Sequence, residues 1–132
     1  MEFANEMTRQ VVEYIREQYG TEPEFLWAKS ANNAAFRHAN HKWFGALLLD
    51  TPRRVLGLPG EGVADILDLK CDPPLIGALL DGKRYLPGYH MNKEHWITAV
   101  LDAQTDLAEL KSLIDRSYTL TSVKKSSKNS RL

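Results

Sequence analysis

Hydrophobic positions along the chain change their period near residue 20. Before it, Met7, Val11, Ile15 and Tyr19 recur at every fourth position, the stripe of a helix predicted from Asn5 to Tyr19, with Gly20 where a C-terminal cap belongs. After it the period shortens. "EFLWA" (Glu24–Ala28) and "NAAFRH" (Asn33–His38) read as short strands, and "WFGALLLD" (Trp43–Asp50) is apolar on both parities, the pattern of a central strand covered on two sides. The turn-rich "ANHK" between the last two predicts a hairpin.

"TPRRVLGLPGEG" (Thr51–Gly62) is predicted as a loop from its prolines and glycines. In "VADILDLKC" (Val63–Cys71), Val63, Asp65, Leu67, Leu69 and Cys71 share one parity, while Ile66, Asp68 and Lys70 share the other. This alternation predicts a strand with one face on the core and one nearer water. "DPPLIGALLDG" reads as a compact helix, with Asp72 as N-cap, Pro73 at the first helical position and Gly82 after the last turn. A last strand is expected over about His95–Leu101, then a helix capped by Thr105 with the stripe Leu107, Leu110, Ile114 and Tyr118. This order predicts an α+β fold: an antiparallel β-sheet packed by helices on one face, a two-layer sandwich. It forms a single domain over residues 1–121, followed by a basic, flexible tail at 122–132.

Composition narrows the class. At 132 residues, 43% hydrophobic and 26% charged, the chain is sized for one soluble domain with a substantial core. Cys71 is its one cysteine, which precludes an intrachain disulfide and suits a reducing, cytoplasmic setting. The N-terminus lacks the basic-then-apolar order of a signal peptide, and the apolar run Ala46–Leu49 is far short of the roughly 20 residues of a membrane span, so no membrane partner is expected. Formal net charge is zero but unevenly spread: residues 27–60 are basic, 61–82 acidic, and no acid follows Arg116. Zero net charge weighs against dispersed nucleic-acid binding, while a local patch remains compatible with it.

Candidate chemistry is sparse. "HMNKEH" (His90–His95) has a zinc-like histidine spacing, but no second cysteine completes a Cys2His2 set, so neither metal nor cofactor is predicted. No G-x-S-x-G is present, and a thiol at Cys71 beside Asp72 is held protonated. Asp65 and Asp68 should point to opposite faces of their strand, which makes them poor acid–base partners. The glycines of "GLPGEG" lead into a strand, whereas a phosphate-binding loop needs a Lys-Ser/Thr pair opening a helix. No enzyme is predicted. The remaining cluster is basic and aromatic: Arg37, His38, Lys42 and Trp43 around one hairpin, with Tyr89, His90, Lys93, His95 and Trp96 around a second turn. Such residues suit phosphate contact and base stacking. Packing at strand starts explains Trp43 and Trp96 equally well.

The segments "FRH…KWF", "LKCDP", "PGYHMNKEHW" and the closing "SYTL" resemble the MmcQ/YjbR family, over about Glu24–Thr121. The resemblance implies a compact domain of the CyaY-like type, and a DNA-binding role through a double-wing arrangement of hairpins. The family signature falls on Arg37, Lys42, Trp43, Phe44, Lys70, Cys71, Asp72, Pro73 and the run Pro87–Lys93, with His95 and Trp96. The expected partner is double-stranded DNA, contacted by Arg37, Lys42, Trp43, Tyr89, His90, Lys93 and His95. Two other readings stand beside it: a protein-interaction module using sheet edges with Tyr89 and Trp96, and a small-ligand or metal-handling domain using His90, His95 and His38 or His41.

Overall fold

In a computed structural model, which describes residues 3–27 and 30–122, the chain forms α1 (Glu6–Tyr19), β1 (Glu24–Trp27), β2 (Ser30–Arg37), β3 (Trp43–Pro52), β4 (Val63–Lys70), α2 (Pro73–Leu79), β5 (Tyr85–Pro87), β6 (Trp96–Leu101) and α3 (Leu107–Ser122). The six strands make one sheet in the order β1-β2-β3-β4-β6-β5, every pair antiparallel. Helices α1 and α3 cover one face. There Val11, Ile15, Leu110 and Ile114 meet Leu47, Leu67, Leu69 and Ile97, all at most 1% exposed. Each such side chain contributes about 1.5–3 kcal/mol by leaving water. The α+β architecture with helices on one face is as the periodicity predicts.

The opposite face carries a second, smaller cluster. A 3-10 turn at Arg53–Leu56 and the residues after it lay Leu56 and Leu58 over Ala64, Ile66, Leu86 and Val100, with Tyr89 joining from the turn after β5. This corrects the expectation for β4. Its second face is not near water, because β4 lies between β3 and β6 and loops cover it, so Asp68 and Ile66 are both fully buried.

Other differences are local. Asn5 caps α1, accepting a hydrogen bond from the Thr8 N–H at 3.2 Å, and Gly20 closes it in the left-handed region at φ 65°. Asp72 occupies the N-cap position of α2 without a capping bond, since its carboxylate pairs with Arg116 at 2.5 Å. That helix ends at Leu79 with Leu80 as its cap, two residues before Gly82. Thr105 does not cap α3: its hydroxyl donates to the Val100 carbonyl, and Asp106 accepts the N–H of Glu109 instead. Helix α3 also runs further than the polar composition suggests, through Ser122, with Thr121 buried. From residue 123 the basic tail lies outside the described residues, as does Lys29.

A buried hydroxyl ties sheet to helix. Ser117 Oγ donates to the Phe44 carbonyl at 2.6 Å and accepts the Lys70 N–H at 2.9 Å. Both backbone groups lie just past the last β3–β4 ladder pair, Gly45 opposite Leu69, where no strand partner remains for them.

Candidate functional site

Antiparallel order brings the β2–β3 turn, the end of β4 and the β5–β6 turn to one end of the sheet. Arg37 pairs with Trp43, Gly45 with Leu69, Lys70 with Trp96 and Pro87 with Ile97. The first turn closes with the His38 N–H on the Lys42 carbonyl at 2.8 Å, His41 standing in the left-handed region at φ 74°. In the second turn, Asn92 accepts from the N–H groups of Glu94, His95 and Trp96, and the His95 carbonyl receives the Cys71 N–H at 2.8 Å. Gly88 is required there: a Cβ at this position would lie 2.8 Å from the Trp96 carbonyl oxygen.

Beneath these turns, on the loop-covered face, a cavity of about 190 Å³ opens between strands and turn. Trp43, Ala46, Leu48, Asp68, His90 and Met91 line it. Asp68 is fully buried and sits in a cross-strand row between Ala46 on β3 and Thr98 on β6. The Tyr89 N–H donates to Thr98 Oγ1 at 2.7 Å, which commits the Thr98 hydrogen to Asp68 Oδ1 at 2.5 Å. Asp68 Oδ2 has no partner, the one such buried side-chain atom among the described residues. Burial pushes the Asp68 carboxyl up to about 7, against the opposing pull of Thr98, the Tyr89 N–H and the Lys93 charge.

The predicted contact residues separate into groups. Trp43 and His90 share the cavity wall, and the Tyr89 ring stacks on His90 with centroids 4.0 Å apart. Lys93 is exposed, its Nζ donating to the Gly88 carbonyl at 2.9 Å, and Lys42 is exposed on the first turn. His95 is exposed and anchors through its backbone. Arg37 turns away, pairing with Glu24 on the neighbouring strand at 2.5 Å. His38 faces the helix layer, against Phe44 and Tyr118. No group of three metal-ligating side chains occurs among the described residues.

The YjbR family model matches residues 16–120, nearly the whole described domain. The chain belongs to the YjbR family. It is similar to the uncharacterized protein YyaQ of Bacillus subtilis, 44% identical over 117 residues, 87% of this chain and 98% of the relative. A crystal structure of a Pseudomonas syringae protein, 40% identical, superposes with a TM-score of 0.80 over 86% of this chain and 97% of that one. Deinococcus radiodurans protein DR2400 shares the fold at 22% identity, with a TM-score of 0.64 over 89% of this chain and 79% of its own.

In this YjbR chain Thr98 carries no signal in the sequence, Asp68 enters there only as a poor acid–base partner, and Lys70 and Met91 only through the family signature. Lys70 Nζ lies over the Trp96 ring, 5.6 Å from its centroid. One signal for Asp68 was present: an acid flanked by Leu67 and Leu69 is unusual in a strand buried on both faces. Reading it required knowing that β4 is central. Asp65, on the opposite face as strand parity predicts, is fully employed, accepting from the Thr8 hydroxyl at 2.6 Å and the Asp50 N–H at 3.0 Å. Cys71 is buried, and burial, then the Asp72 charge, pushes its thiol up. No helix among the described residues is long and apolar enough to cross a membrane.

Proposed function

We propose that this chain binds nucleic acid, double-stranded DNA in the first instance, with the sheet end built from the β2–β3 and β5–β6 turns. The observation that carries this reading is topological: strand pairing gathers Lys42, Lys70 and Lys93 with Trp43, Tyr89 and Trp96 at one end, although they are scattered through 55 positions of sequence. Among the described residues none of these lysines has a carboxylate within 4.0 Å, so their charges are available to phosphates. Arg37, already paired to Glu24, is the weakest member of the predicted set and is replaced by Lys70. The chain's zero net charge makes binding a property of this patch rather than of the whole molecule.

Fluorescence anisotropy of a labelled duplex at two salt concentrations tests the proposal. Binding should weaken steeply with salt, since each phosphate neutralised contributes a slope of about −0.9 in log affinity against log salt. Lys42→Glu with Lys93→Glu should abolish it, whereas Lys111→Glu on α3 should leave it intact. Glutamine at Lys124, Lys125, Lys128 and Arg131 isolates the tail. Loss of all binding in that variant alone, or no binding at low salt, would retire the reading.

A further inference from the structure

Buried polar atoms in folded proteins almost always find a partner, and one that does not, beside an open cavity, is the usual mark of a ligand or an ordered water. Asp68 Oδ2 is such an atom. Its surroundings are built rather than accidental. Thr98 is held by the Tyr89 N–H and in turn holds Asp68 Oδ1, which fixes the carboxyl plane in place. The walls beside it differ in chemistry: the Trp43 ring and the Met91 thioether offer a flat, polarizable surface, and Ala46, 4% exposed, leaves room where a larger side chain would fill the space. A larger groove of about 360 Å³ between α1 and α3 lacks this character. There Arg9 is engaged with Glu6, Tyr14 with Asp115, and Lys111 lies over the Tyr14 ring.

We infer that the Asp68 cavity binds a flat, amino-substituted nitrogen heterocycle, whose N–H edge meets the Asp68 carboxyl while its ring face lies against Trp43. The volume suits it. A cavity of about 150 Å³ holds a benzene ring, so about 190 Å³ has room for one substituted ring. The carboxyl matches such an edge in either protonation state: ionised it accepts from the amino group, and protonated it also donates to an adjacent ring nitrogen. Carboxylates read the amino group of cytosine in this way in DNA complexes. A metal ion is a poorer occupant, because among the described residues Asp68 and His90 are the only His, Cys, Asp or Glu side chains on the wall.

Two sources supply this chemistry: a free small molecule, or an unpaired base of a strand held by the lysines above. The inference stands on the cavity and does not need the nucleic-acid reading, and its test separates the two. Backbone-amide NMR of the full chain is titrated with cytosine, 2-aminopyridine and, lacking any N–H, toluene. The heterocycles should shift resonances of Trp43, Ala46, Asp68, His90 and Met91 saturably, and toluene should bind at least about ten-fold more weakly, the factor carried by about 1.4 kcal/mol. Asp68→Leu, which replaces both carboxylate oxygens with methyl groups on the same branch, and Ala46→Leu, which fills the space, should each weaken heterocycle binding by ten-fold or more while the spectrum stays dispersed. A parallel titration uses a short oligothymidylate with one central cytosine, against the same strand with an abasic site there. Shifts at the cavity with free heterocycles identify a small-molecule site. Shifts with the cytosine strand alone identify a base pocket. No saturable shift at the cavity with any probe, or unchanged affinity in Asp68→Leu, overturns the inference. Duplex binding measured by anisotropy is unaffected by that failure.

Discussion

His38 Nε2 and Thr121 Oγ1 lie 2.7 Å apart, joining the end of β2 to the last turn of α3. Thr121 spends its own hydrogen on the Ser117 carbonyl, so it accepts from the imidazole, and His38 carries its proton on Nε2. Burial, then the nearby Lys42 charge, lowers the His38 pKa below its ordinary 6.5. A histidine depressed in the fold gives stability that is present above the unfolded pKa and lost as pH falls through the folded one. His38→Gln should therefore lower stability at pH 7.5 while flattening its fall between pH 7 and 5. Denaturant midpoints at both pH values measure this.

Asp68 has the opposite sign. Its carboxyl moves from 3.8 to about 7 on folding, so the folded chain binds more protons across that window. The associated stability is full below pH 4 and lost as pH rises to 7. At about 1.4 kcal/mol per pH unit the span is on the order of 4 kcal/mol. Asp68→Asn should abolish that decline, making the variant less sensitive to pH between 4 and 7 than the parent. Unfolding curves at intervals of one pH unit would show a parallel decline in both proteins if the assignment were wrong.

Gly88 packs against the Trp96 backbone closely enough that a methyl group cannot enter without moving the turn. Gly88→Ala should cost about 1–3 kcal/mol, as overpacking does. It should also disturb the amide resonances of Tyr89 and Thr98, because the turn carries the N–H that orients Thr98.

Ser117→Ala leaves the Phe44 carbonyl and the Lys70 N–H buried without partners. Each orphaned group costs about 1–3 kcal/mol, so a two-group loss should lower the urea midpoint clearly. A shift no larger than that of an exposed Ser112→Ala or Ser122→Ala variant would show that water replaces the hydroxyl.

The layout was legible where one rule decided it. The four-residue stripe of α1, the apolar run of β3 and the "ANHK" turn each specify their own structure, and together they imply an antiparallel sheet with helices against it. What escaped depended on neighbours. The alternation in β4 predicts a half-exposed strand because alternation reports side-chain direction and not what lies beyond it. The 3-10 turn that covers it lies within a segment that reads as an open loop, and the β5–β6 turn is separated from it by α2 and β5. β5, only Tyr85–Pro87, is too short to leave a period. The site divides in the same way. Basic and aromatic residues were visible as a cluster, but whether a given cation is free was not: Arg37 and Lys42 look alike on paper, and only the pairing of β1 with β2 sets Glu24 beside one of them.

The reach of the α1–α3 contact sets an order of events during synthesis. Helix α1 leaves the ribosome before the sheet, and its partners come late: Asn5 Nδ2 donates to the Leu101 carbonyl, and Tyr14 and Tyr19 both donate to Asp115, with about 100 residues between them. Val11, Val12 and Ile15 therefore wait unsheltered while the sheet is being made. The final layer closes only when Thr121 has emerged, so a nascent chain arrested before α3 presents a sticky helix and an uncovered sheet face, the kind of surface that chaperones hold.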